Sequence, residues 1–206
     1  MPLTPNLTKF TTASPVIASY DFIDIASGTG YINMYAGRTI DLEMLSNFTY
    51  YSDPIMEESA TEMGTSGNHL WLERNFDFTV NKSTVYEGTG IVNVPVGIRC
   101  VSGGPNLYAI AKIIKYAGSE SVIAQNTSRV FSNTSGTKYS MLGIDIAIPK
   151  TLFQKGEVFR LSIEIWGQGH GYAQLAYDPK NRTTGWDTTG AVPSTLTAQI
   201  PVRVDL

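Results

Sequence analysis

Leu70-Trp71-Leu72-Glu73-Arg74-Asn75-Phe76-Asp77-Phe78-Thr79-Val80 is the stretch that decides the fold. Leu70, Leu72, Phe76, Phe78 and Val80 fall on one face at alternate positions, the pattern of a half-buried β-strand. Working outward, the same alternation recurs at residues 20–25 and 30–36 on the N-terminal side. On the C-terminal side it recurs at 91–101, 107–116, 121–131, 138–148, 157–166, 172–177 and 197–204. Residues 40–49 read equally as strand or as a short helix. That makes about ten strands with no helix–strand alternation, which predicts a single all-β domain, a jelly-roll-like β-sandwich of about eight to ten antiparallel strands.

The connections carry turn chemistry. Ser102-Gly103-Gly104-Pro105-Asn106 reads as a hairpin connection, and 149–156 as a compact turn. Residues 54–63 are the one helix candidate, with Asp53 as N-cap and Gly64 as the stop. Residues 1–19, polar and holding Pro2, Pro5 and Pro15, are expected to form an extended arm on the 20–206 domain, lying along it or packing on a neighbour. Gly28-Thr29-Gly30 and Gly88-Thr89-Gly90 both feed a strand that ends at a second glycine. This echo places the two strands either in matching halves of the sandwich or together by chance.

Composition narrows the function. The 206 residues include only 16% charged residues, with a formal net charge of −3, which argues against a phosphate-binding surface and so against direct nucleic-acid contact. A chain of this size buries about 70% of its unfolded surface, enough for an independent core. The single cysteine, Cys100, cannot make an internal disulfide and is expected to be a buried, inert thiol. The N-terminus lacks the basic-then-apolar pattern of a secretory leader, and no apolar run has the length of a membrane helix.

Catalytic constellations are hard to assemble. Neither Gly-Thr-Gly turn leads into a helix or carries a Gly-Lys-Ser/Thr, so nucleotide binding is not expected. His69 and His170 are far apart in sequence, there is no Gly-x-Ser-x-Gly elbow, and a carboxylate pair such as Glu157 and Glu164 is an arbitrary choice. In the run 161–166, Ser162 and Glu164 share one face while Leu161, Ile163 and Ile165 share the other. That patterning makes Glu164 an ordinary exposed-face residue. Calcium held by Asp178, Asn181 and Asp187 competes with a plain turn-forming role for the same residues. No cofactor and no metal site is expected.

The segment 166–187 is the candidate surface. Gly167, Gly169 and Gly171 alternate between Trp166, His170 and Tyr172, and Asp178, Arg182 and Trp186 follow. Three readings stand: Trp166 plugs the core above a tight glycine loop, the aromatics form a subunit interface, or they bind a sugar.

The segments Tyr-Asp-Phe-Ile-Asp-Ile-Ala-Ser-Gly-Thr-Gly-Tyr-Ile-Asn-Met-Tyr-Ala-Gly (20–37) and Ile-Pro-Lys-Thr-Leu-Phe-Gln-Lys-Gly-Glu-Val-Phe-Arg-Leu-Ser-Ile-Glu-Ile-Trp-Gly (148–167), ahead of Tyr-Asp-Pro-Lys-Asn-Arg-Thr (177–183), resemble jelly-roll virion proteins of tailed bacteriophages. The resemblance touches about a quarter of the chain through strand-and-turn patterns, and it carries over no catalytic residue. It implies a non-enzymatic structural component of the virion in a capsid, decoration, neck or tail layer, with copies of itself and other virion proteins as partners. The alternative is a carbohydrate- or receptor-binding module facing a host-surface glycan. That reading places Trp166, Tyr172 and Trp186 together on one exposed loop cluster.

Overall fold

The computed structural model describes residues 18–19, 28–39, 42–49, 53–62, 67–183, 186–187 and 189–203. Among them every regular element is a strand: β1 (Ala18–Ser19), β2 (Thr29–Thr39), β3 (Leu42–Ser46), β4 (Ile55–Glu58), β5 (His69–Thr79), β6 (Thr84–Tyr116), β7 (Glu120–Thr127), β8 (Phe131–Ser132), β9 (Thr137–Phe153), β10 (Val158–Tyr177) and β11 (Thr197–Arg203). The expected all-β sandwich is present. Its pairings are antiparallel apart from one parallel bridge, Met44 to Asp77. Of the proposed 1–19 arm, residues 1–17 lie outside the described residues, and Ala18 and Ser19 pair with Ile32 and Tyr31. The strand expected at 20–25 also lies outside the described residues.

Two long strands serve both layers. The first part of β6 pairs with β9 and β11. Its last part pairs with β7 and with the first part of β10. β10 in turn runs between β6 and β5, then bends and continues between β6 and β4. Residues 102–106 are therefore not a hairpin. The segments on either side of them are successive halves of one strand, which turns a corner beside the corresponding corner of β10.

Glycines make that corner. Gly103 and Gly104 both take positive φ, 69° and 66°, a region that costs a side chain strain. Across the bend the inward residues change parity, from Val92, Val94, Val96 and Ile98 to Leu107, Ala109, Ala111 and Ile113, all fully buried. On β10, register shifts flank His170, and Gly169 takes φ 102°. A Cβ on Gly169 would stand 2.6 Å from Pro105 Cα, and one on Gly171 would stand 2.7 Å from the Arg99 carbonyl oxygen. The glycines expected to form a loop instead let two strands cross at contact distance.

Aromatic contacts stitch the layers together. Tyr86 of β6 lies 5.1 Å from Phe159 of β10, and Phe76 of β5 lies 5.1 Å from Tyr177. Each such buried ring contributes roughly 2–3 kcal/mol by removal from water. The 70–80 segment behaves largely as its alternation predicts: Leu72 and Phe76 of β5 and Val80 just past it are buried, while Leu70 is 41% exposed. Leu70 sits where the β5–β10 register shifts between Ile165 and Trp166, which lifts it off the inward face.

Residues 54–63 hold no helix in their described part; Ile55–Glu58 are β4. Helix-capping chemistry at Asp53 is overridden by tertiary pairing with β10. Within the described part of 40–49, Leu42–Ser46 form strand β3. Gly28-Thr29-Gly30 opens β2 and Gly88-Thr89-Gly90 lies within β6, and the two strands lie in one layer on either side of β11: Ala198 faces Met34 on one side and Val92 on the other. They are neighbours, not counterparts in opposite halves.

Candidate functional site

The six residues singled out in 166–187 do not form one exposed loop cluster. Val158–Tyr177 is continuous strand, so Trp166, His170 and Tyr172 are strand residues spread along the corner. Trp166 is half-buried on the outer face, not in the core, and its indole N–H donates to Glu164 Oε2 at 2.9 Å. His170 is exposed, with Nδ1 3.0 Å from Glu62 Oε1. The Tyr172 ring lies under the Arg99 guanidinium at 4.0 Å. Trp186 is 4% exposed, packs at 4.5 Å on Tyr139, and donates to the Val192 carbonyl at 2.9 Å. Trp186 is thus the buried tryptophan of the pair, whereas Trp166 faces outward.

Asp178 and Arg182 build a turn. Asp178 is fully buried and accepts hydrogen bonds from the Lys180 and Arg182 backbone N–H groups and from the Arg182 guanidinium. Asn181, at φ 54°, accepts from Ser194 N at 2.7 Å, tying this turn to the approach to β11. Asp187 likewise accepts from Thr189 and Val192. The oxygens considered for calcium face N–H donors, an arrangement that suits a turn. Among the described residues no cluster of His, Cys, Asp and Glu is placed to hold a metal ion.

Burial works against ionisation of Asp178, but the Arg182 guanidinium and the two backbone N–H groups outweigh it and hold the carboxyl below its ordinary range. A carboxylate with a lowered folded-state value stabilises the fold above its unfolded value of about 3.9 and loses that contribution as pH falls. Wild type should therefore lose stability steadily on acidification below about pH 4, and Asp178→Asn should start lower and show a shallower acid limb. Urea midpoints measured across pH 3–7 for both proteins check this; parallel curves would refute it.

The surface with the most concentrated chemistry is the outer face of the β5–β10–β6 sheet. Tyr108 stands directly across from Trp166, and Trp71 donates its indole N–H to the Gly167 carbonyl at 2.8 Å. Trp166 and Tyr108 are half-buried, with Ile110 and exposed Leu70 beside them, whereas half-buried Trp71 packs against the core. Glu164, expected to be an ordinary exposed-face residue, is only 8% exposed and pairs with the Lys112 ammonium from the adjacent strand. Beyond it Arg160 pairs with Asp77 at 2.6 Å and with Glu120. Around the corner Arg99 makes two bonds to Glu58, at 2.9 and 2.6 Å. The face therefore alternates aromatic rings with neutralised charge pairs.

Lys112 was not legible in the sequence as part of this face, because its partner depends on register. Cys100, half-buried rather than buried, lies where β6 begins its corner. Elsewhere, a shallow, open depression of about 300 Å³ is lined by Asn33, Tyr35, Asn93, Thr197, Ala198 and Gln199. It offers hydrogen-bonding groups but no carboxylate, histidine or lysine.

No protein-family model matches the chain, and no curated protein does. Solved structures do. A CocE/NonD family hydrolase from Staphylococcus aureus superposes with TM-score 0.54 and 13% identity over 85% of this chain. An aminopeptidase from a Thaumarchaeota archaeon gives 0.56 and 8% over 86%, and an α-amino acid ester hydrolase gives 0.52 and 11% over 84%. This chain spans only 37%, 37% and 36% of those three proteins. At such identity the likeness establishes the shared β-sandwich fold. It also corrects the expectation of a non-enzymatic virion component or a glycan module on a viral fibre: the folds that match well are found in hydrolases. The tailed-phage resemblance is not confirmed, since infectious bursal disease virus structures reach only TM-scores of 0.28 and 0.25, too low to argue from. No helix among the described residues is long and apolar enough to cross a membrane.

Proposed function

We propose that the chain is a β-sandwich companion unit of the kind built into hydrolases, working by docking against a catalytic body rather than as a complete catalyst. The observation that carries this reading is the outer face where Trp166 lies between Tyr108 and exposed Leu70. Interface cores are rich in aromatic rings and poor in free charge, and here the adjoining charges are already paired with each other. The hydrolase matches support the same reading, because most of each hydrolase lies outside the part that this chain resembles.

A photo-crosslinking amino acid at Tyr108 tests it, with Gln199 on the other sheet as control. In extract of the cells that make the protein, followed by a fluorophosphonate probe for serine hydrolases, the Tyr108 position should give a probe-labelled adduct and the Gln199 position should not. Labelling of the purified chain itself, or turnover of p-nitrophenyl esters by it, would overturn the companion reading. So would the absence of a labelled adduct at Tyr108.

A further inference from the structure

We propose that β4 is a releasable strap, seated by carboxylates rather than by packing, which can lift off the edge of β10 while the sandwich stays folded. β4 is only four residues long, and each of them is half-exposed. Its strand pairing is to one partner, residues 174–177 of β10. Short, charged edge strands are a common device for covering a longer strand edge.

The anchors on this segment are acidic, and Glu57 and Glu58 each reach β10 and one further strand. Glu57 lies 2.6 Å from Arg74 Nε of β5 and accepts from the Tyr177 hydroxyl of β10 at 2.7 Å. Glu58 takes both bonds from Arg99 of β6 and a third, at 2.8 Å, from Gln174 of β10. Glu62, past the end of the strand, faces His170. The neighbouring titratable groups are Glu43 of β3, 3.8 Å from Arg74, Tyr172 under Arg99, and Tyr139 of β9, whose phenol is pushed up by burial and then by the Asp187 and Glu58 charges.

Against these stand modest neutral contacts. Ile55 packs at the margin of the core, and Ser59 exchanges hydrogen bonds with Ala173, N–H to carbonyl at 2.8 Å and N–H to hydroxyl at 3.2 Å. The sign follows from the acid side. The Arg99 hydrogen bonds, opposed by burial and helped by Gln174, hold the Glu58 carboxyl below its ordinary range. Its share of the seating is complete above about pH 4.3 and is lost as pH falls through the lowered value. Lifting the strap would bare the main chain of β10 at 173–177, a ready template for an added strand.

Hydrogen exchange on the full chain tests the strap. At pH 7 the Glu57→Gln/Glu58→Gln variant should exchange the amides of 55–59 and 174–177 at least tenfold faster than wild type, with 159–165 unchanged. Ile55→Ala should change these amides less than the double substitution does. Equal protection in the Gln variant would overturn the proposal, as would a larger effect from Ile55→Ala. Should the Gln variant fail to fold, wild type decides, with rates corrected for intrinsic exchange between pH 7 and 3.5. Loss of protection at 55–59 ahead of 159–165 supports the strap, and simultaneous loss refutes it.

Discussion

Gly169→Ala is expected to lower stability by about 3–4 kcal/mol, the sum of two separable costs. The first is conformational: φ at Gly169 is 102°, where a side chain is strained by about 1–3 kcal/mol. The second is steric, because the new methyl would stand 2.6 Å from Pro105 Cα and 3.1 Å from Pro105 Cβ, backbone and ring atoms that cannot rotate away. Two other glycines separate these terms. Gly118 has φ 85° and open space around its Cβ position, so Gly118→Ala reports strain alone. Gly171 has no such φ but would place a methyl 2.9 Å from Pro105 Cγ as well as against the Arg99 carbonyl, so Gly171→Ala reports the clash alone. At about 2–4 °C per kcal/mol for a domain of this size, Gly169→Ala should melt roughly 10 °C below wild type, with the other two in between. A Gly169→Ala protein melting within about 2 °C of wild type would mean that the strands do not cross this closely.

Lys112→Met is the second large effect. Glu164 is nearly buried, so removing its ammonium partner leaves a carboxylate in a poor dielectric environment with only the Trp166 indole to support it. Breaking a buried pair from one side costs about 3–5 kcal/mol, and the partial exposure of Lys112 brings this to about 2–3. Lys112→Met/Glu164→Gln should recover most of that loss, since the amide stays a neutral acceptor for Trp166. Urea midpoints for the two variants check the pair. A double variant no more stable than the single one would show that Lys112 contributes through its packing instead of its charge.

These two sites also show where reading the sequence succeeds and where it stops. Alternation revealed the sandwich because an inward face must be apolar at every second residue, and Leu72, Phe76 and Val80 satisfy this within one segment. The corner was misread because Ser102-Gly103-Gly104-Pro105 has the same composition whether the chain doubles back or crosses a partner. Only Gly169 and Gly171, more than sixty residues later, decide between the two. The helix expected at 54–63 failed for a similar reason: Glu57 and Glu58 find Arg74 and Arg99 on strands that no local pattern connects to them. Trp166 and Trp186 exchanged roles, since half-burial on a face and burial under a turn look alike in composition. The Lys112–Glu164 pair depends on register, Ser162 opposite Lys112 and Glu164 opposite Ile110, which is a property of the assembled sheet.

β6 and β10 each belong to both layers, and this shapes how the chain can become a folded protein at all. Neither layer can be completed first and the other added afterwards, because each needs halves of strands whose other halves define its opposite. The two strands must also find each other across the intervening β7, β8 and β9, so the contacts that create the core close long loops. The sandwich therefore has no natural halving point. A cut at the β6 corner would separate the half that pairs with β9 and β11 from the half that pairs with β7, and each half also loses part of its β10 partner.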